Sequence, residues 1–125
     1  MKLLLYTHVL LWWLGRPRAL SDDVRARIRD PENLVFASVV SAWEMEIKRA
    51  LGKLRAPDDL GEQLRRHRIA ELPLRLTHVH TLRALPAVHR DPFDRMLIAQ
   101  AVADELTVLT RDRRFGAYPV KLLAV

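Results

Sequence analysis

Three carboxylates stand where their positions suit joint chemistry. Asp112 sits two residues beyond a β-branched and apolar run that ends at Thr110. Asp94 falls in the first turn of a helical pattern opened by Phe93, and Glu44 lies within the first two turns of the helix that follows Leu34-Val35-Phe36-Ala37. In open parallel sheets ligands bind at the carboxyl ends of the strands, so acids from three distant segments can meet in one crevice there. The chain has no cysteine, which leaves oxygen and imidazole as its ligand chemistry. Hard oxygen donors suit Mg²⁺ or Mn²⁺, ions that activate water and stabilise charge developing on a phosphodiester. Each acid also has a plainer role open to it. Glu44 can pair with Lys48 at i,i+4, Asp94 can complement a helix N-terminus, and Asp112 can cap the turn before Arg113 and Arg114.

The elements that must position these residues follow from local pattern. Lys2 to Tyr6 reads as a buried strand, and Thr7 is placed to cap a helix running to Leu14 before Gly15 and Pro17 stop it. Ser21 caps a second helix to about Asp30, ended by Pro31. Leu34 to Ala37 is a second strand, and Ser38 or Ser41 caps a long helix with Trp43, Ile47, Ala50 and Leu51 on one side, closed by Gly52. Pro57-Asp58-Asp59 opens an amphipathic helix, Ile69 to Leu74 suggests a short strand, and Thr77 to Leu85 a helix. After a loop from Pro86 to Pro92, the residues Phe93, Met96, Leu97 and Ala101 mark a buried helix. Thr107 to Thr110 and Val120 to Leu122 are the last strands. Short apolar strands alternating with helices predict a parallel sheet covered on both faces, and no linker divides residues 1–125.

Composition narrows the class. Half of the 125 residues are hydrophobic, which excludes intrinsic disorder, and the formal charge is +6. Only Lys2, Lys48, Lys53 and Lys121 are lysines, so the other cations are arginines, whose planar fork suits phosphate and carboxylate. The longest apolar run, Val9 to Leu14, is far below the ~20 residues of a membrane span. No signal-peptide pattern opens the sequence, and a cytoplasmic location is expected.

Five segments carry a resemblance over almost the whole chain. They are Leu3 to Trp12 with its Thr7-His8 pair, Ser41-Ala42-Trp43-Glu44-Met45-Glu46-Ile47-Lys48, Gly52-Lys53-Leu54, Asp91-Pro92-Phe93-Asp94-Arg95-Met96-Leu97-Ile98-Ala99-Gln100-Ala101, and Leu109-Thr110-Arg111-Asp112. In this order they resemble the PIN-domain ribonucleases, and most of all toxins of the VapC type. The resemblance implies a three-layer α/β/α sandwich with a central parallel sheet and a Mg²⁺- or Mn²⁺-dependent endoribonuclease. It further implies a homodimer and a cognate antitoxin that holds the toxin inactive, in a complex that represses its own operon through the antitoxin's DNA-binding part. Carried over by position, the catalytic and metal-binding acids fall on Glu44, Asp94 and Asp112, with Asp91 as an accessory acid and Thr7 and Thr110 as supporting hydroxyls.

The resemblance breaks at the end of the first strand, where the family has an acid and this chain has Tyr6. A phenol with an ordinary pKa near ~10 is neutral at pH 7 and a poor ligand for a hard divalent ion. Its ring is also larger than an aspartate. The expectation is weak or absent metal binding and a disarmed nuclease, which makes a non-catalytic antitoxin-binding or regulatory protein the alternative. A phospho-receiver domain would need paired acids after the first strand, and these are absent.

Other residues invite readings of their own. Arg111, Arg113 and Arg114 flank Asp112 and suggest a basic rim for RNA phosphates, while Arg65, Arg66 and Arg68 with His67 form a second cluster. His8 suits a substrate contact or a helix start. His67, His78, His80 and His89 are read as surface or packing residues. Trp12 and Trp13 are adjacent, so on a helix one must point outward, as an antitoxin or dimer contact.

Overall fold

The computed structural model describes residues 1–125. The strands are β1 (Lys2–Leu5), β2 (Leu34–Ser38), β3 (Ala70–Leu72), β4 (Thr107–Thr110) and β5 (Lys121–Ala124). The helices are α1 (Thr7–Gly15), α2 (Asp22–Arg29), α3 (Val39–Ala50), α4 (Leu60–Arg66), α5 (Leu76–Thr81) and α6 (Pro92–Asp104), with short 3₁₀ turns at Pro17–Ala19, Leu82–Ala84 and Arg113–Ala117. All strand pairs are parallel and the order is β3-β2-β1-β4-β5. The chain leaves central β1 toward β2 and β3, then returns to pair β4 against the other edge of β1. That reversal creates a switch point between β1 and β4, where an open parallel sheet leaves a crevice at its strand ends.

Alternation along β1 divides the core in two. Leu3 and Leu5 face a cluster with Val9, Leu10, Trp13, Val24 and Ile28, while Leu4 and Tyr6 face one with Leu97, Ile98, Val108 and Phe115. Helices therefore cover both faces of the sheet in the three layers expected. Ser21 and Ser38 accept the backbone N–H groups of Val24 and Val40 as helix caps, each worth about 1 kcal/mol.

Several boundaries differ from expectation. β1 ends at Leu5, because Tyr6 becomes the residue before α1 while its N–H still reaches Leu109 O at 3.2 Å. Thr7 is the first residue of α1 and caps nothing. The strand expected over Ile69 to Leu74 contracts to Ala70–Leu72, and the helix expected over Thr77 to Leu85 splits into α5 and a 3₁₀ turn.

The largest departure concerns α3. Its inward face carries Val40, Ser41, Glu44 and Met45, whereas Val39, Trp43, Ile47 and Leu51 lie exposed, Trp43 at 59%. Periodicity locates an apolar stripe correctly but is silent on whether anything covers it.

Candidate active site

The carboxyl ends of β1 and β4 open into a cleft of about 340 Å³, lined by Tyr6, Thr7, Glu44, Lys48, Asp91, Asp94, Thr110 and Asp112 among others. All the acids singled out by sequence therefore meet in one place, although they come from chain segments far apart.

Glu44 is held on an inward face of α3 and is only 5% exposed. Its Oε1 lies 2.7 Å from Thr7 Oγ1, which is also 3.1 Å from Ser41 Oγ. A hydroxyl has one proton, so Thr7 donates it to the carboxylate and accepts from Ser41. Lys48, one turn along α3, donates to Oε2 at 2.6 Å. That hydrogen bond raises the Lys48 pKa above its ordinary value. The i,i+4 pair and the site placement are thus both realised by one residue.

Asp91 caps α6, its Oδ1 accepting from the N–H groups of Phe93 at 2.8 Å and Asp94 at 3.0 Å. This gives it a structural task beyond that of a nearby accessory acid. Asp94 is half-buried, and its pKa is pushed up to about 6, chiefly by burial and then by the Asp91 charge. The favourable field of the α6 N-terminus does not outweigh these two effects.

Asp112 is the opposite case. It accepts from Arg114 N at 3.0 Å and caps the following 3₁₀ turn, while the Arg114 guanidinium grips both its oxygens at 2.8–3.2 Å. That clamp, with a contribution from His89, holds its carboxyl far below the usual carboxylate range. Thr110 Oγ1 accepts the Asp112 N–H at 3.1 Å and fixes the turn.

His89 is the packing residue that its reading allowed, and it also reaches the site through Asp112. The ring is buried and stacks on Phe115 at 4.2 Å, with Nε2 at 3.0 Å from Asp112 Oδ2 and Nδ1 at 2.9 Å from the Tyr118 hydroxyl. The His89 backbone N–H also donates to that hydroxyl at 3.0 Å. In the neutral ring the hydroxyl proton then goes to Nδ1, leaving Nε2–H for Asp112. The only sequence hint was closeness to Asp91; nothing local relates His89 to Tyr118. His78 is also interior, its Nδ1 accepting from Arg75 N and its Nε2 lying 3.0 Å from Asp104, but it joins α5 to α6 away from the cleft.

Tyr6 takes the side of the sheet that Leu4 takes. Its ring meets Phe115 edge-on at 4.5 Å, and its hydroxyl is buried with no hydrogen-bond partner. Burial first, then the charge of Asp94, raises its pKa well above the usual value, so the phenol is neutral. The donor set does not fit a divalent cation. Both oxygens of Glu44 and both of Asp112 are engaged within the protein, the first-strand position offers a neutral phenol, and no three acidic or imidazole groups close into a ligand set. Glu44, Asp94 and Asp112, expected as metal ligands, line the cleft without forming such a set.

The expected basic rim is also altered. Arg114 is committed to Asp112, and Arg111 lies over the Trp12 ring with its guanidinium bonded to Ala19 O. All three are exposed, but only Arg113 has no hydrogen bond, ion pair or ring contact through its side chain. Trp13 is the buried member of the tryptophan pair. Its outward neighbour, Trp12, lines the cleft.

Comparison with known proteins gives a consistent answer. The family model described as PIN domain matches residues 3–121. A curated relative, ribonuclease VapC16 of Mycobacterium tuberculosis (strain ATCC 25618 / H37Rv), is 37% identical over 70 residues, which is 52% of this chain and 50% of the relative. The chain thus spans about half the length of the curated relative it matches. Among solved structures, VapBC2 from Rickettsia felis bound to a promoter DNA fragment superposes with a TM-score of 0.73 at 14% identity, covering 99% of this chain and 98% of that one. DNA-bound VapBC from Salmonella typhimurium gives 0.70 at 19% identity with the same coverage. FitAcB from Neisseria gonorrhoeae gives 0.61 at 21% identity, covering 97% and 96%. At these identities the structural likeness speaks for the fold.

Proposed function

This chain belongs to the PIN domain family, and from that premise we propose that it is the toxin component of a toxin–antitoxin pair, with an endoribonuclease cleft that Tyr6 leaves disarmed. The observation that carries the reading is the meeting of Glu44, Asp94 and Asp112 at the β1–β4 strand ends, with Tyr6 filling the remaining corner. The named relative is a ribonuclease, and the neighbouring folds come from toxin–antitoxin complexes. RNA is the proposed ligand, and Mg²⁺ or Mn²⁺ the ion that the family resemblance implies. Because the carboxylates are engaged as described, hydrolysis is not assigned to the chain with Tyr6 in place.

A protein partner suits the exposed row Val39, Trp43, Ile47 and Leu51 on α3, since a contiguous apolar ridge exposed to water favours association. A cognate antitoxin and a second copy of the chain are the partners proposed, and the cytoplasm is the proposed location. No helix is long and apolar enough to cross a membrane.

The test is cleavage of single-stranded RNA by Tyr6→Asp and by the unaltered chain in Mg²⁺ and in Mn²⁺. Cleavage by the variant above that of the parent is the expected result. An equally inert pair would instead favour the second reading, a non-catalytic antitoxin-binding protein, which the partnerless Tyr6 hydroxyl also supports.

A further inference from the structure

One feature of the cleft lies outside its acids. The Arg111 guanidinium carbon stands 4.1 Å from the centroid of the Trp12 ring. The same guanidinium donates to Ala19 O, so it is anchored both by a cation–π contact and by a hydrogen bond. It forms no ion pair with any acid, although Asp112 is its next neighbour in sequence. Arg111 is exposed, Trp12 is half-buried, and His8 on the preceding turn of α1 tilts toward the Trp12 ring at 6.0 Å. Arg111, Trp12 and His8 all line the same cleft as Glu44, Asp94 and Asp112.

We propose that Arg111 and Trp12 form a stacking subsite for a nucleobase of single-stranded RNA at the rim of the acidic cleft. The proposal rests on the reading of the cleft as an RNA site and adds how a base is held there. A planar cation supported from below by an indole offers its outer face to another π system, and both aromatic and guanidinium planes are surfaces on which unpaired bases stack. The anchor to Ala19 O matters because the plane is set before any ligand arrives, so little side-chain freedom is lost on binding. The neighbouring acids decide between ligands. Asp94 and Asp112 repel a peptide carboxylate brought to Arg111, whereas a base is neutral and can lie beside them. The unpaired Arg113 is available to the adjoining phosphate.

The experiment compares two fluorescein-labelled probes of equal charge, hexaadenylate and a hexameric abasic ribose phosphate, by anisotropy at low salt. It uses the full chain and its Arg111→Lys and Trp12→Leu variants. Lysine keeps the charge of Arg111 and removes the plane, and the position is exposed, so that variant folds even where the tryptophan change disturbs packing. The parent is expected to bind hexaadenylate at least fivefold more tightly than the abasic probe. Arg111→Lys should weaken hexaadenylate roughly tenfold and leave the abasic probe within twofold. Equal binding of the two probes by the parent, or equal losses on both in Arg111→Lys, overturns the stacking subsite while leaving RNA binding in place. Failure of the parent to bind either probe overturns the RNA reading and the subsite together.

Discussion

His89 and Tyr118, 29 residues apart, are joined twice: the tyrosine hydroxyl lies 3.0 Å from the His89 backbone nitrogen and 2.9 Å from its Nδ1. The far side of the same ring lies 3.0 Å from Asp112. A buried imidazole therefore ties the position of one cleft carboxylate to the packing of the 3₁₀ turn that follows it, where Phe115 stacks on the ring.

This tie should be measurable as a coupling. Tyr118→Phe leaves the His89 N–H and Nδ1 without their partner and is expected to cost about 1–2 kcal/mol. His89→Phe keeps the stack on Phe115 and the backbone N–H bond to the hydroxyl but removes the Nδ1 partner of that hydroxyl and the Nε2 partner of Asp112, and is expected to cost about the same. The double variant should cost less than the sum by at least about 0.5 kcal/mol. Urea midpoints of the four proteins give the cycle, and strict additivity would contradict the linkage.

Tyr6 carries a buried hydroxyl with no partner. Tyr6→Phe removes a desolvated group and keeps the ring against Phe115, so it should stabilise the fold by about 1 kcal/mol. Tyr6→Asp places a third carboxylate near Asp94 and Asp112 and should destabilise the metal-free protein. Millimolar Mn²⁺ should then raise the melting temperature of Tyr6→Asp and leave that of the parent and of Tyr6→Phe unchanged. A parent protein stabilised by Mn²⁺ to the same degree would contradict the misfit of the present donor set.

Asp94 and Asp112 give opposite pH dependences. Asp94 has its folded pKa raised from 3.8 to about 6, so the stability associated with its protonated form is fully present below pH 3.8 and is lost as the pH rises through 6. Discounted for its partial exposure, the loss is about 1 kcal/mol. Asp112 is depressed by its Arg114 clamp, so its contribution is present above pH 3.8 and disappears only as the pH falls well below that. Asp94→Asn should flatten the decline in unfolding free energy between pH 4 and pH 6.5, measured by urea denaturation. A decline of unchanged slope in the variant would assign the effect elsewhere.

Arg113 and Arg114 should separate binding from stability. Arg113 is unpaired, so Arg113→Glu should weaken binding of a short RNA and lower its salt slope by about one unit with little change in melting temperature. Arg114 grips Asp112 at 2.8 Å, so Arg114→Glu should lower RNA affinity and also destabilise the turn from Arg113 to Ala117. Indistinguishable behaviour of the two variants in both assays would remove the distinction.

What the sequence determined by itself was whatever neighbours along the chain encode. Pro17, Pro31 and Gly52 set where helices stop, Ser21 and one of Ser38 and Ser41 where they start, and Leu3-Leu4-Leu5 and Thr107 to Thr110 mark buried strands through short apolar runs. Because parallel strands present their carboxyl ends on one side, the convergence of Glu44, Asp94 and Asp112 was legible as well, whereas the departure at Tyr6 showed only against the family resemblance. Tertiary structure decided what each of these groups touches. Glu44 takes the distant Thr7 hydroxyl as well as Lys48, the exposed Arg114 clamps Asp112, and Arg111 lies on Trp12. His89 reaches Tyr118 and Asp112 only because the chain crosses from β3 past β1 to place β4. The exposed row on α3 has the same origin. Helical period fixes which side chains share a face, but only the arrangement of distant segments fixes whether that face finds a neighbour.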